Sequence, residues 1–412
     1  MQSQSNVAIV GAGPYGLSVA AHLRAMGINF RIFGKPMFTW SEQMPKGMTL
    51  KSDGFASSLS DADGTHTIGA FCKQQGIHYD DTRVPVSLDT FVAYGQSFQK
   101  HLVPDIEETL VSKIEKTPSG FRLHLEDGST ALADRIVLAI GISYFQYTPE
   151  VFAHLPAEYL SHSAAHRDPS KLRGRNVAVI GSGASALDLA TLMHENGTDV
   201  TVLSRRSALK FHAPPSPSPA SLWKKMRWPQ TGIGPGWKSK FFTDAPIAFH
   251  FLPEETRLRI VKRYLGPSGG WWLKDRFIGK VPHKLGLTPQ SAEIRDGKVH
   301  VTLKDKSNHS IVHVADHIVT ATGYRVDLRL LQFLSPDLLA QIDNVQNTPI
   351  LSSVFQSSVP GLYFIGVSSA NSFGPVMRFA FGADYTAKRI AKHLAAQKVP
   401  ARNQAAVTAT VS

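Results

Sequence analysis

Apolar and polar positions alternate in blocks along the chain, and the most informative blocks end in glycine. Val7-Ala-Ile-Val10 is a short apolar strand that runs into Gly11-Ala-Gly13-Pro-Tyr-Gly16 and then into the amphipathic start of a helix, Leu17-Ser-Val-Ala20. The block recurs as Val177-Ala-Val-Ile180, Gly181-Ser-Gly183-Ala-Ser-Ala186 and Leu187-Asp-Leu-Ala190, at an offset of 170 residues (177 minus 7). A second echo lies downstream of each copy. Ala133-Asp-Arg-Ile-Val-Leu-Ala-Ile-Gly141 matches Ala315-Asp-His-Ile-Val-Thr-Ala-Thr-Gly323 at six of nine positions. Alternating apolar residues precede each, Phe121 to Leu125 and Val299 to Leu303, which predicts a small β-meander leading into a buried strand.

The chain therefore reads as α/β, with two Rossmann-like dinucleotide-binding domains that each carry a small β-meander. We expect one domain over residues 1–145 with a return segment at 321–396, the other over 146–320 with an insertion at about 207–290, and a flexible tail at 397–412. In a strand–glycine turn–helix unit the first glycine permits the tight turn and the second lets backbone approach a pyrophosphate. The third position takes a small residue for helix–strand packing. The phosphates then rest on the helix's N-terminal amides. The candidate cofactor-binding residues are Gly11, Gly13, Pro14, Tyr15 and Gly16 in the first turn, and Gly181, Ser182, Gly183, Ala184 and Ser185 in the second. The strand-end glycines Gly141, Gly323 and Gly366 join them.

The strand after each helix separates the two sites. The strand Ile28 to Phe33 ends in Gly34-Lys35, where an acidic residue would ordinarily hold the ribose, so that contact falls to backbone or to Lys35. The matching strand Asp199 to Leu203 ends in Ser204-Arg205-Arg206. Two guanidiniums stand where a 2′-phosphate would lie, which favours NADPH over NADH; two solvated arginines are the plainer alternative. Two dinucleotide sites in one chain imply flavin and nicotinamide, with FAD in the first. The late strand Gly361 to Gly366 is expected to return to the first sheet, and a helix over about Val376–Leu394 to direct its N-terminal dipole at the flavin.

Composition narrows this further. The 412 residues are 42% hydrophobic and 18% charged, which rules out a largely disordered chain. Cys72 is the one cysteine, so no mechanism needing an intramolecular thiol pair applies. The polar start and the lack of a long apolar run predict a cytoplasmic protein without an integral membrane segment. The net charge of +12 sits in one stretch. From Arg205 to Lys284 there are 16 basic and four acidic residues, a difference of +12, with ten of the 25 prolines and five of the six tryptophans. A proline-rich arm (Pro214 to Pro219) is expected there and, following Pro253, a helix of about three turns built on Leu258 to Leu265 with its flanks. It reads as a cover over the cleft, a dimer surface or a satellite core; no nucleic-acid-binding module is recognisable. His162 and His166 share a helical spacing, but no further ligand pattern accompanies them, and no metal site is expected.

These residues resemble the two-dinucleotide-fold flavoprotein monooxygenases: flavin-containing monooxygenases, Baeyer–Villiger enzymes and ornithine/lysine N-hydroxylases. The resemblance covers about residues 6–395 and rests on the two glycine turns, Ala321-Thr-Gly-Tyr324 and the His162-Ser163 pair before Gly174 to Gly181. The histidine-centred fingerprint of the first two classes is incomplete, with Pro156, Glu158 and His166 at its other positions; Ala-Thr-Gly-Tyr leans toward the N-hydroxylases. The resemblance implies hydride transfer from NADPH to FAD, O2 uptake as a C4a-hydroperoxyflavin, and oxygenation of a small molecule, with N-hydroxylation or other heteroatom oxidation favoured. The alternative is a reductase passing electrons to an acidic protein or quinone. The resemblance also runs Trp40 to Ser52 along the flavin, making Trp40, Met48, Lys51 and Ser52 candidate contacts; core packing is the alternative for Trp40 and solvation for Lys51. Asn371 is the candidate catalytic residue, positioning NADPH or substrate, unless it or Ser372 caps a helix. Arg378, expected in the first turn of the last helix, is out of place against the dipole and suggests a ligand or ion-pair role. A homo-oligomer is compatible with all of this. Arg205→Ala is expected to raise the KM for NADPH far more than that for NADH; equal losses would contradict a 2′-phosphate contact.

Overall fold

The computed structural model describes residues 4–215, 221–264, 266 and 268–397. The repeat in sequence is a repeat in topology. In the first unit, β1 (Gln4–Val10), β2 (Phe30–Phe33), β3 (Ile106–Glu107), β4 (Val111–Thr117), β5 (Gly120–Leu125) and β6 (Thr130–Leu138) form one sheet in the order β3-β2-β1-β6-β5-β4. In the second, β7 (Leu160–His162), β8 (Asn176–Ile180), β9 (Asp199–Ser204), β10 (His283–Leu285) and, past a separate meander, β14 (His317–Thr320) form a parallel sheet in the order β10-β9-β8-β14-β7. That meander is β11 (Thr288–Arg295), β12 (Lys298–Lys304) and β13 (Ser310–Ala315). A hairpin of β15 (Asn344–Val345) and β16 (Thr348–Pro349) precedes β17 (Leu362–Phe364), which pairs in parallel with the end of β6.

The parallel parts thus correspond strand for strand, β3-β2-β1-β6-β17 against β10-β9-β8-β14-β7. The outermost strand comes last in the chain in the first unit, but before its own glycine turn in the second. Each sheet is buried on both faces, as a parallel sheet must be. Val7, Ala8 and Ile9 have no exposed surface, nor do Val177, Ala178 and Val179. Alternation divides the second unit's core. Val177, Val179, Val200 and Val202 pack under α3, while Ala178, Ile180 and Leu203 pack under the meander; α3 is Ala184–Glu195, with α1 (Pro14–Ala25) and α2 (Leu88–Leu102) on the first sheet.

Two crossings join the units, and they run against each other. Tyr147 N donates to Gly323 O at 3.0 Å and Arg325 N to Phe145 O at 2.7 Å, with the Arg325 guanidinium 3.3 Å from the centroid of the Tyr147 ring. Pairing of this kind holds the two chain passages in fixed register, so the domains share a two-stranded hinge. The hinge lies at residues 145–147 and 323–325.

Two expectations are corrected. The last helix does not start at Val376. Gly374 takes a φ of +95°, Pro375–Arg378 forms a short 3-10 turn, Phe379 is extended, and helix α5 is Gly382–Ala396. The helix expected after Pro253 is present as Glu254–Arg263 (α4), with Pro253 at its N-cap. The insertion closes before residue 283, because His283–Leu285 pairs with Val202–Ser204 as the sheet's edge strand. Part of the proline-rich arm, residues 216–220, and the tail from 398 onward lie outside the described residues.

Candidate functional site

Both glycine turns are shaped by what a β-carbon would strike. Gly11 has a φ of +108° and its added Cβ would fall 2.4 Å from Ala139 O; Gly181, at φ +139°, would meet Ala321 O at the same 2.4 Å. These are equivalent contacts, between the turn after the first strand and the end of the strand beside it. At Gly16 a Cβ would lie 1.9 Å from Gly11 O, whereas the equivalent Ala186 fits fully buried. Gly13 differs, since a Cβ there would meet nothing within 4 Å. That open space lies above the start of α1. Gly13 and Gly183 are the N-cap residues of α1 and α3, and no side chain caps either helix. Two helix N-termini with amides left to a ligand are what a pyrophosphate requires.

Of the first turn's candidates, Tyr15 turns inward. Its hydroxyl donates to Met377 O at 3.1 Å and Phe379 O at 2.9 Å, and burial raises its pKa. It pins the turn to the strand-to-helix segment before α5, and its ring lies 3.5 Å from where a Gly366 Cβ would stand. Lys35 is exposed at the end of β2, after Gly34 at φ +122°. Glu107, the nearest acid in the sheet, is engaged by Arg31 through two bonds of 2.5 and 2.6 Å. In the second turn Ser182 Oγ accepts from Ser204 Oγ at 2.8 Å, and Ser204 Oγ accepts from Arg206 N at 3.1 Å. The turn is thereby tied to the exposed Arg205-Arg206 pair. Gly141 and Gly323 both take positive φ, +61° and +86°.

The Trp40 to Ser52 stretch lies between the units. Trp40 packs edge-to-face on Phe91 of α2, with ring centroids 4.7 Å apart, and Met48 is buried. Ser52 shares a 2.8 Å hydrogen bond with Ser57. Lys46 N donates to Arg167 O at 2.8 Å, while Arg167 donates back to Met44 O at 3.1 Å. Lys51 reaches furthest. Its ammonium pairs with Asp188 of α3, a carboxylate only 2% exposed. The pair therefore links the two glycine-turn units through the first's loop and the second's helix. Burial pushes the Lys51 pKa down, to about 7.

Asn371 caps nothing. Its Nδ2 donates to Thr348 Oγ1 at 2.8 Å, and its carbonyl accepts from Arg257 of α4 at 3.3 Å. Arg378 lies outside α5, in the 3-10 turn before it. Its guanidinium donates to Val261 O and Tyr264 O at the end of α4, where the negative end of the helix dipole favours a cation. His162 Nε2 donates to Gly323 O at 3.2 Å beside the Tyr324 ring. His166 and His317 both bond Ser161 Oγ at 2.7 Å, and burial, then the neighbouring His317, hold the His166 pKa down at about 4. Buried and neutral, these rings serve the second unit's packing next to the hinge.

The insertion, left open by the sequence, braces both units. Ile233, Phe242 and Phe249 enter the first unit's core, whereas Leu273, Phe277 and Val281 enter the second's. Gln230 donates to Asp53 Oδ2 at 2.7 Å, and Gly232 lies so close to Phe381 that a Cβ would fall 2.2 Å from its ring.

The chain belongs to the pyridine nucleotide-disulphide oxidoreductase family, whose model matches residues 8–222. Among curated relatives, it is 29% identical over 220 residues to an FAD-dependent urate hydroxylase of Xanthomonas campestris, covering 50% of this chain and 46% of that protein. It is 26% identical over 227 residues to a senecionine N-oxygenase of Tyria jacobaeae, covering 51% and 49%. The chain thus matches about half the length of these relatives. Its fold is that of an ornithine N-hydroxylase of Kutzneria sp. 744 solved with reduced FAD, NADP+ and L-ornithine, with a TM-score of 0.75 over 95% of this chain and 99% of that one at 16% identity.

Asp188→Asn leaves Lys51 buried without its counterion. Removing one partner of a buried ion pair costs about 3–5 kcal/mol, so urea denaturation at neutral pH should show the variant losing stability of that order relative to the wild type. Unchanged stability would contradict a buried interdomain pair.

Proposed function

We propose that the chain is an FAD-dependent, NADPH-reduced monooxygenase that oxygenates a small molecule, most consistently by N-hydroxylation or another heteroatom oxidation. The observation that carries this is the pair of uncapped glycine turns, held across one hinge with Lys51 and Asp188 between them. FAD fits the first turn, where Gly13 leaves open space and Tyr15 secures the loop to the return segment. NADPH fits the second, where Ser182 and Ser204 lead to Arg205 and Arg206. Bound flavin would accept the hydride and activate oxygen as its C4a-hydroperoxide; the chain's own part is to bind, orient and exclude water. On this reading Trp40 to Ser52 and the return segment from Gly366 would flank the flavin. Asn371 is held by Thr348 and Arg257 rather than aimed by a cap, so any contact with substrate or coenzyme is made from a fixed position. Cys72 is buried and its thiol pKa is raised, which does not suit thiol redox chemistry.

Anaerobic reduction by NADPH followed by mixing with O2 tests this. A long-lived absorbance at about 370–380 nm is the expected result. Immediate reoxidation without it would favour the reductase that passes electrons to a protein or quinone, and a chain unable to bind FAD would overturn both readings.

A further inference from the structure

The insertion's inner face is spent on the two cores, but its outer face is not. Trp223, Met226, Trp228 and Trp237 are 72%, 60%, 60% and 62% exposed, and Phe241 is 39% exposed. Two of the tryptophans are neighbours. Gly236 N donates to Pro229 O at 2.9 Å, and a Cβ on Gly236 would lie 3.2 Å from the Trp228 ring, which places Trp228 beside Trp237. Trp237 and Phe241 stand one turn apart on the outer side of the helix Trp237–Asp244, whose inner side buries Ser239, Phe242 and Thr243. Trp223 and Met226 lie on the helix Leu222–Arg227 just before. Singly exposed apolar residues are ordinary, but three exposed tryptophans between residues 223 and 237, two of them side by side, mark a surface that meets something.

The charge says what. Among the described side chains from residue 222 to 251 there are three basic residues (Arg227, Lys238, Lys240) and one acid, Asp244, which Lys240 pairs at 2.5 Å. Indole rings settle at the boundary between headgroups and acyl chains, and lysine and arginine beside them draw the surface to anionic lipid. No helix among the described residues is long and apolar enough to cross a membrane, so the contact is peripheral. We propose that this outer face of the insertion docks the protein on the surface of an anionic bilayer, independently of the reaction proposed above.

Co-sedimentation of the full, flavin-loaded chain with vesicles tests this. Vesicles of phosphatidylcholine and phosphatidylglycerol in equal parts should bind it at least about tenfold more tightly than phosphatidylcholine alone, and Arg227→Glu or Lys238→Glu should each weaken binding about fivefold or more. The variant Trp223→Ser/Trp228→Ser/Trp237→Ser should lose binding while keeping its flavin content, which certifies the fold. Absence of binding to either vesicle at low salt, or undiminished binding by the triple variant, would overturn the proposal. So would a dimer in solution that the triple variant abolishes without any vesicle binding, which would assign the face to a second copy.

Discussion

Everything in this structure depends on two places where backbone passes backbone too closely for a side chain. Gly11 against Ala139 and Gly181 against Ala321 each leave 2.4 Å between an imagined β-carbon and a carbonyl oxygen. With positive φ at both glycines, only glycine fits without displacing the neighbouring strand. Each turn ends a strand on the sheet and starts a helix with its amides unpaired. The same contact that fixes the sheet's central pairing therefore fixes where a phosphate can lie.

Around these turns the chain builds braces. The hinge at residues 145–147 and 323–325 sets the register between units, Lys51 and Asp188 tie loop to helix, and the insertion enters both hydrophobic cores. The buried ion pair is the most demanding of these, because both partners are taken largely out of water and, apart from a 3.4 Å bond from Lys51 to Thr49 O, the two compensate each other. A contact of that kind favours one relative placement of the units more than it adds stability.

The two units, their meanders and the return of Gly361 to Gly366 to the first sheet were legible because apolar runs ending in glycine state both burial and turn. The swapped order of the outermost strands was not, since β7 is three residues long and carries no period of its own. Lys51 was visible as a lysine in a flavin-side loop, but its partner lies 137 residues on, inside a helix where aspartate reads as solvent-facing. Arg378 looked misplaced only because the helix was drawn six residues too early; the extended Phe379 that separates turn from helix has no clear signature in the Phe-Ala-Phe-Gly sequence there. The insertion's composition was plain, yet which of its aromatics face inward depends on contacts with both units.

The central claim, that one turn holds flavin and the other nicotinamide, is tested most directly by placing a carboxylate at each second glycine in turn. The account predicts that Gly13→Asp is purified colourless, while Gly183→Asp keeps its flavin spectrum and is reduced by NADPH far more slowly than the wild type under anaerobic conditions. If Gly13→Asp retained flavin, or if both variants lost it alike, the assignment of the two turns would be contradicted.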